Sequence, residues 1–195
     1  MNSLSLQSPH VIIMVGAPGS GKSFFASRFS ETFSVPYISW EAIRSVLFHE
    51  ATYSKEDETI VEDVAMAMLE QLVKTSATLI YEGDSLTQKS RLDLAKMIRK
   101  LGYEPLFVWV QIDSASSKAR SLKLGMSPAV YDTLERRFTP LKEAEPYVVV
   151  SGKHTYASQL KIVLRRLSNA RAVAAGNSSR PLKPPLPPAR RVRIQ

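Results

Sequence analysis

Eight residues, Gly16-Ala17-Pro18-Gly19-Ser20-Gly21-Lys22-Ser23, have the types and spacing to hold a string of phosphates. Backbone N–H groups of such a glycine-rich turn converge on phosphate oxygens, and the following helix N-terminus adds positive potential. Lys22 is placed to reach the β and γ phosphates, and the Ser23 hydroxyl to ligate Mg2+. The pattern has meaning only between a strand and a helix. Here the apolar run Val11–Val15 precedes it and a helical pattern from Gly21 to about Phe33 follows. The spacing implies bound ATP with Mg2+. It leaves open whether the terminal phosphate passes to water, a small molecule or a nucleic acid.

The elements that must position this loop alternate. After the first strand and helix, Val35–Ser39 reads as a second strand and Trp40–Glu50 as a helix. Ile60, Val64, Met68 and Leu72 recur at steps of four inside a helix spanning Lys55 to Ser76. Ala77–Asp84 is a third strand, and a helix from Thr87 to Leu101 stops at Gly102. Glu104–Asp113 is a fourth strand. Residues 114–125 form a basic helix, and Ser127 caps another with Pro128 at its first position. Pro146–Val150 is a fifth strand, and Tyr156 to about Ala174 the last helix. The alternation predicts an α/β fold with a mainly parallel five-stranded sheet.

Three units follow from composition: an extension over 1–10, a domain over 11–174, and a basic, Pro-rich tail over 175–195 that reads as disordered. The net charge of +8 is uneven, because residues 146–195 hold 10 Lys/Arg and no acid. That end could meet nucleic-acid phosphates by counterion release, or a polyproline-binding partner through Pro185–Arg190, or nothing in particular. The chain has no cysteine, which excludes disulfides and thiolate chemistry. His10, His49 and His154 lack metal-ligand spacing. No bilayer-length apolar run or signal-peptide pattern is present, so a cytoplasmic protein is expected.

The loop, with "SWEAIR" after the second strand and "YEGDSLTQKSR" after the third, resembles the small AAA-type P-loop NTPases. Within them it resembles the kinase group of polynucleotide kinases, zeta toxins and related small-molecule phosphotransferases. The resemblance covers roughly residues 10–170. It implies that Glu41, where the family has Asp, takes the proton from an attacking hydroxyl and that Arg44 grips the acceptor. One helical turn separates them, so they share a face. Glu41 could equally be a first-turn acid complementing the helix dipole. The resemblance places Glu82 at the metal side of the third strand, with Asp84 as a second candidate. Asp113, at the end of the fourth strand, is the weaker alternative.

The likeness also implies a P-loop NTPase kinase-like three-layer sandwich with a helical lid, whose cations close on the triphosphate. Here these are Lys118, Arg120 and Lys123, with Arg136 and Arg137 behind them and Arg91 near the acceptor. A solvated helix face explains the same charges. Phe24 stands where relatives carry a Thr that bonds the α-phosphate, which implies weaker nucleotide binding. The expected activity is transfer of the ATP γ-phosphate to a polynucleotide 5′-hydroxyl, a nucleotide sugar or a small alcohol. The rival expectation is an ATP-binding regulatory module with little transfer activity and a nucleic-acid-binding tail.

Overall fold

A computed structural model describes residue 6, residues 8–49 and residues 53–177, with side chains as far as residue 168. Five strands form one wholly parallel sheet: β1 (His10–Val15), β2 (Tyr37–Ser39), β3 (Leu79–Glu82), β4 (Glu104–Gln111) and β5 (Tyr147–Ser151). Their order across the sheet is β2-β3-β1-β4-β5. Seven helices connect and follow them: α1 (Lys22–Phe33), α2 (Trp40–Leu47), α3 (Lys55–Leu72), α4 (Gln88–Lys100), α5 (Ser114–Lys123), α6 (Pro128–Arg137) and α7 (Tyr156–Asn177).

Residue alternation along β1 divides the core. Val11, Ile13 and Val15 face a cluster built with Val61, Ala65 and Leu69 of α3 and Leu94 and Ile98 of α4. Ile12 and Met14 face the other cluster, with Phe25 and Phe29 of α1 and Val163 and Leu167 of α7. All six β1 residues are buried, as a central parallel strand requires. Each fully buried large apolar side chain contributes about 1.5–3 kcal/mol. The result is the expected three-layer sandwich.

Five helices begin at a side chain that accepts an early backbone N–H: Ser39 for α2, Ser54 for α3, Thr87 for α4, Asp113 for α5 and Ser127 for α6. Such caps fix where each helix leaves the carboxyl edge of the sheet. Several boundaries shift from the sequence expectation. β2 begins at Tyr37 rather than Val35, and α3 tightens into a 3-10 turn over Val73–Thr75. The last helix runs to Asn177, so residues 175–177 are helical rather than the start of the tail. The tail's remaining residues, 178–195, and the first five residues lie outside the described part.

Candidate active site

The loop between β1 and α1 depends on glycine for both conformation and space. Gly16 and Gly19 hold φ of 146° and 73°. A Cβ on Gly16 would stand 2.5 Å from the Val110 carbonyl oxygen, and one on Gly19 2.5 Å from that of Ser117. The tight loop therefore lies directly against β4 and α5. Gly21 caps α1 with no side-chain hydrogen bond. Lys22 opens α1 and folds back to donate to the Ala17 carbonyl at 3.1 Å. Burial holds its ammonium below 10.5, and the nearby Glu82 charge works the other way. The Ser20 hydroxyl is buried without a partner. A desolvated lysine, an uncapped helix start and a glycine cradle suit a polyphosphate anion.

Beside the loop stands a carboxylate. β3 pairs directly with β1, which brings the end of β3 next to Ser23. Ser23 Oγ donates to Glu82 Oε1 at 2.8 Å. The Tyr37 hydroxyl of β2 donates to the other oxygen, Oε2. Burial and the Glu82 charge push the Tyr37 hydroxyl well above its ordinary 10.0, so it stays a donor. Among the described residues no three acid or histidine side chains converge. One hydroxyl and one carboxylate are hard oxygen donors, and they suit Mg2+, which keeps several waters.

The other acids go elsewhere. Asp84 accepts the Leu86 N–H at 3.3 Å and lies 3.9 Å from Arg137. Asp113 caps α5 by accepting the Ser116 N–H and pairs with Lys153 at 2.7 Å. Those contacts hold its carboxyl far below the usual range. Asp113 serves the start of the lid rather than the phosphate loop, and Glu82 is the acid joined to Ser23.

On the β2 side, Ser39 turns the chain into α2, and its Oγ accepts the Ala42 N–H at 3.3 Å. Glu41 is 66% exposed, whereas Arg44 is only 3% exposed. Arg44 reaches Glu41 at 3.4 Å, pairs with Glu58 of α3 and lies over the Tyr53 ring at 4.7 Å. Its Nε is buried without a partner. Arg44 thus joins α2 to α3 and keeps one free donor. Trp40 is wall rather than platform: its Nε1 donates to the Tyr81 hydroxyl at 2.9 Å, and its ring presses on Gly83.

Two of the expected lid cations are held by protein groups. Lys118 pairs with Asp132 of α6 at 2.6 Å and sits over Tyr131. Arg120 donates to the Gly152 carbonyl at 3.1 Å, and Lys123 lies in the last turn of α5. Arg136 reaches Thr133 at 3.5 Å. Phe24 is 53% exposed beside the loop. Two serines that sequence reading passed over, Ser117 and Ser121, are buried where α5 meets the loop. Their four-residue spacing on one helix face was the available signal. Tyr37 was missed too, since a lone tyrosine on a short strand carries none.

Arg91 is fully buried, not a surface or acceptor residue. It binds Glu145 at 2.6 Å and the Ser85 and Leu86 carbonyls at 3.1 Å. This fastens the turn after β3 to the chain leaving the lid. Between the ends of β4 and β5 and the lid lies a cleft of about 570 Å3, lined by Ala17, Ser20, Trp109, Ser117 and Phe138 among others. No helix among the described residues is long and apolar enough to cross a membrane.

A family model described as an AAA domain matches residues 11–125, from the first strand to the end of the basic helix. No curated protein matches the chain. Among solved structures, a gluconokinase from Sinorhizobium meliloti 1021 superposes with a TM-score of 0.66 at 17% identity. That match covers 87% of this chain and 98% of the gluconokinase. A sugar kinase from Janibacter sp. HTCC2649 gives a TM-score of 0.64 at 17% identity, covering 85% of this chain and 98% of the other. At such identities the likeness establishes the fold.

Proposed function

The chain belongs to the AAA domain family, and from that premise we propose that it is an ATP-dependent kinase acting on a small hydroxyl-bearing acceptor. The observation that carries this reading is the meeting of Lys22, Ser23 and Glu82 at the glycine loop. When bound, Mg·ATP supplies the transferable γ-phosphoryl group and the metal charge that activates it. The glycine loop and the start of α1 hold the phosphates. Lys22, partly buried, offers its charge to the oxygens where negative charge grows. Ser23 gives its hydrogen to Glu82 and so keeps oxygen lone pairs for the metal.

Glu41, exposed at the first turn of α2, takes the proton of the acceptor hydroxyl in this reading. Arg44, held by Glu58 and 3.4 Å from Glu41, positions Glu41 on the acceptor side. The narrower kinship to polynucleotide kinases and zeta toxins rests on this Glu41–Arg44 pair and stays part of the proposal. Of the three acceptor classes, a small alcohol fits the charge best. The acceptor-side helices α2 and α3 hold seven acids against two bases. That field repels the phosphates of a polynucleotide or nucleotide sugar. The fold shared with a sugar kinase and a gluconokinase supports the same class.

The test is to offer ATP labelled on the γ-phosphate, with Mg2+, to sugars and polyols, nucleotide sugars and 5′-hydroxyl oligonucleotides. Label on a sugar or polyol, absent with Lys22→Met, is expected. Label on an oligonucleotide would overturn the acceptor class. Tight ATP binding with no labelled product would point to a nucleotide-gated binding protein.

A further inference from the structure

The Glu82 carboxylate is held at both ends, by Ser23 of α1 and by Tyr37 of β2. β2 pairs with β3 so that Tyr37 lies opposite Ile80 and Ser39 opposite Glu82. Glu82 is two residues beyond Ile80, so both project to the face covered by α1, and Tyr37 packs against the same cluster. The phenol ring spans that diagonal and brings its hydroxyl to Glu82 Oε2. Oε1 is left to Ser23.

We propose that Tyr37 is a positioning residue that sets the affinity of the site for its divalent cation. The inference rests on the reading of Ser23 and Glu82 as the metal pair. Two donors on opposite oxygens fix the rotation of the carboxylate. With Oε2 engaged, Glu82 presents Oε1 toward Ser23 and stays off the Lys22 ammonium, whose charge it already feels. Without the Tyr37 hydroxyl the carboxylate is free to turn toward Lys22. That would remove an anchor from the metal and a cation from the phosphates together. Partners that orient a metal ligand typically change metal affinity 10- to 100-fold.

The test uses the full chain with a fluorescent ADP analogue and a Mg2+ titration, reading the Mg2+ concentration at half-maximal nucleotide binding. Tyr37→Phe removes one hydroxyl and keeps the ring. It is expected to raise the midpoint by about tenfold or more. In a Glu82→Ala background the same change is expected to do nothing further, because Tyr37 acts through Glu82. The rise in thermal midpoint on adding Mg2+ and ADP, taken relative to each variant's own ligand-free value, separates this effect from a general loss of stability. A Tyr37→Phe midpoint equal to the parent's, or an effect that persists without Glu82, would overturn the role of Tyr37 alone. A parent chain whose nucleotide binding ignores Mg2+ would overturn the metal pair itself, and Tyr37 with it.

Discussion

Ser23 at the start of α1 donates its hydroxyl hydrogen to Glu82 at the tip of β3, across 2.8 Å and 59 residues of sequence. The direction of that bond matters. A serine that gives its hydrogen to a carboxylate has lone pairs facing away from it, ready for a cation. Ser23→Ala and Glu82→Gln should each weaken Mg2+-dependent nucleotide binding by roughly 10- to 100-fold. Made together, they should cost little more than the worse of the two, since they break one arrangement. Isothermal titration with ADP at several Mg2+ concentrations reads this directly.

Burial of the Lys22 ammonium is expected to cost the ligand-free protein stability. Its pKa in the fold lies below the 10.5 of the unfolded chain because burial disfavours the ammonium. The unfolded chain therefore binds more protons between those two values, and stability rises with pH across that window. Below the folded value the full cost is present; above 10.5 it is gone. Lys22→Met should raise the thermal midpoint of the ligand-free protein at neutral pH, with the gain shrinking as pH climbs toward 10.5. The same variant should bind ATP roughly 10- to 100-fold more weakly.

Arg91 and Glu145 form a wholly buried pair, and Arg91 also donates to carbonyls of the turn after β3. Removing only the arginine leaves a buried carboxylate without its counter-ion. Arg91→Met should cost about 3–5 kcal/mol in chemical denaturation. Arg91→Met with Glu145→Leu should recover much of that loss, because no lone charge remains.

Two glycines with positive φ should respond differently. Gly125, at φ 92°, has nothing within 4 Å of an added Cβ. Gly125→Ala should therefore cost only about 1–2 kcal/mol of backbone strain, with nucleotide affinity unchanged. Gly19, at φ 73°, would strike the Ser117 carbonyl and the Ser121 hydroxyl. Gly19→Ala should cost about 1–3 kcal/mol from strain alone and more from the clash. By pushing α5 off the loop it should also reduce nucleotide affinity. Paired denaturation and ADP-binding curves check both.

The order of elements and the phosphate loop were legible because both are local. Strand burial shows as an unbroken apolar run, and the glycine–lysine–serine spacing encodes its own geometry. Glu82 was legible through resemblance, and pairing of β3 with β1 puts it beside Ser23. Partnerships between distant elements were not legible. Lys118, expected at the triphosphate, is held by Asp132 from the next helix. Arg91 reads as an ordinary helical arginine until the fold closes around it. The Tyr37–Glu82 contact shows only once the β2–β3 register is known. A charge pattern records which residues are polar; a side chain's choice of partner depends on packing that one stretch of sequence does not contain.

The central claim is that this glycine loop serves transfer of phosphate to an alcohol rather than occupancy alone. Phosphorus NMR of Mg·ATP incubated with the protein and a pool of sugars and polyols tests it most directly. A new phosphomonoester resonance that grows as ADP appears, and is absent with Lys22→Met, is expected. ADP appearing only with inorganic phosphate, or unchanged ATP despite measured binding, would contradict it.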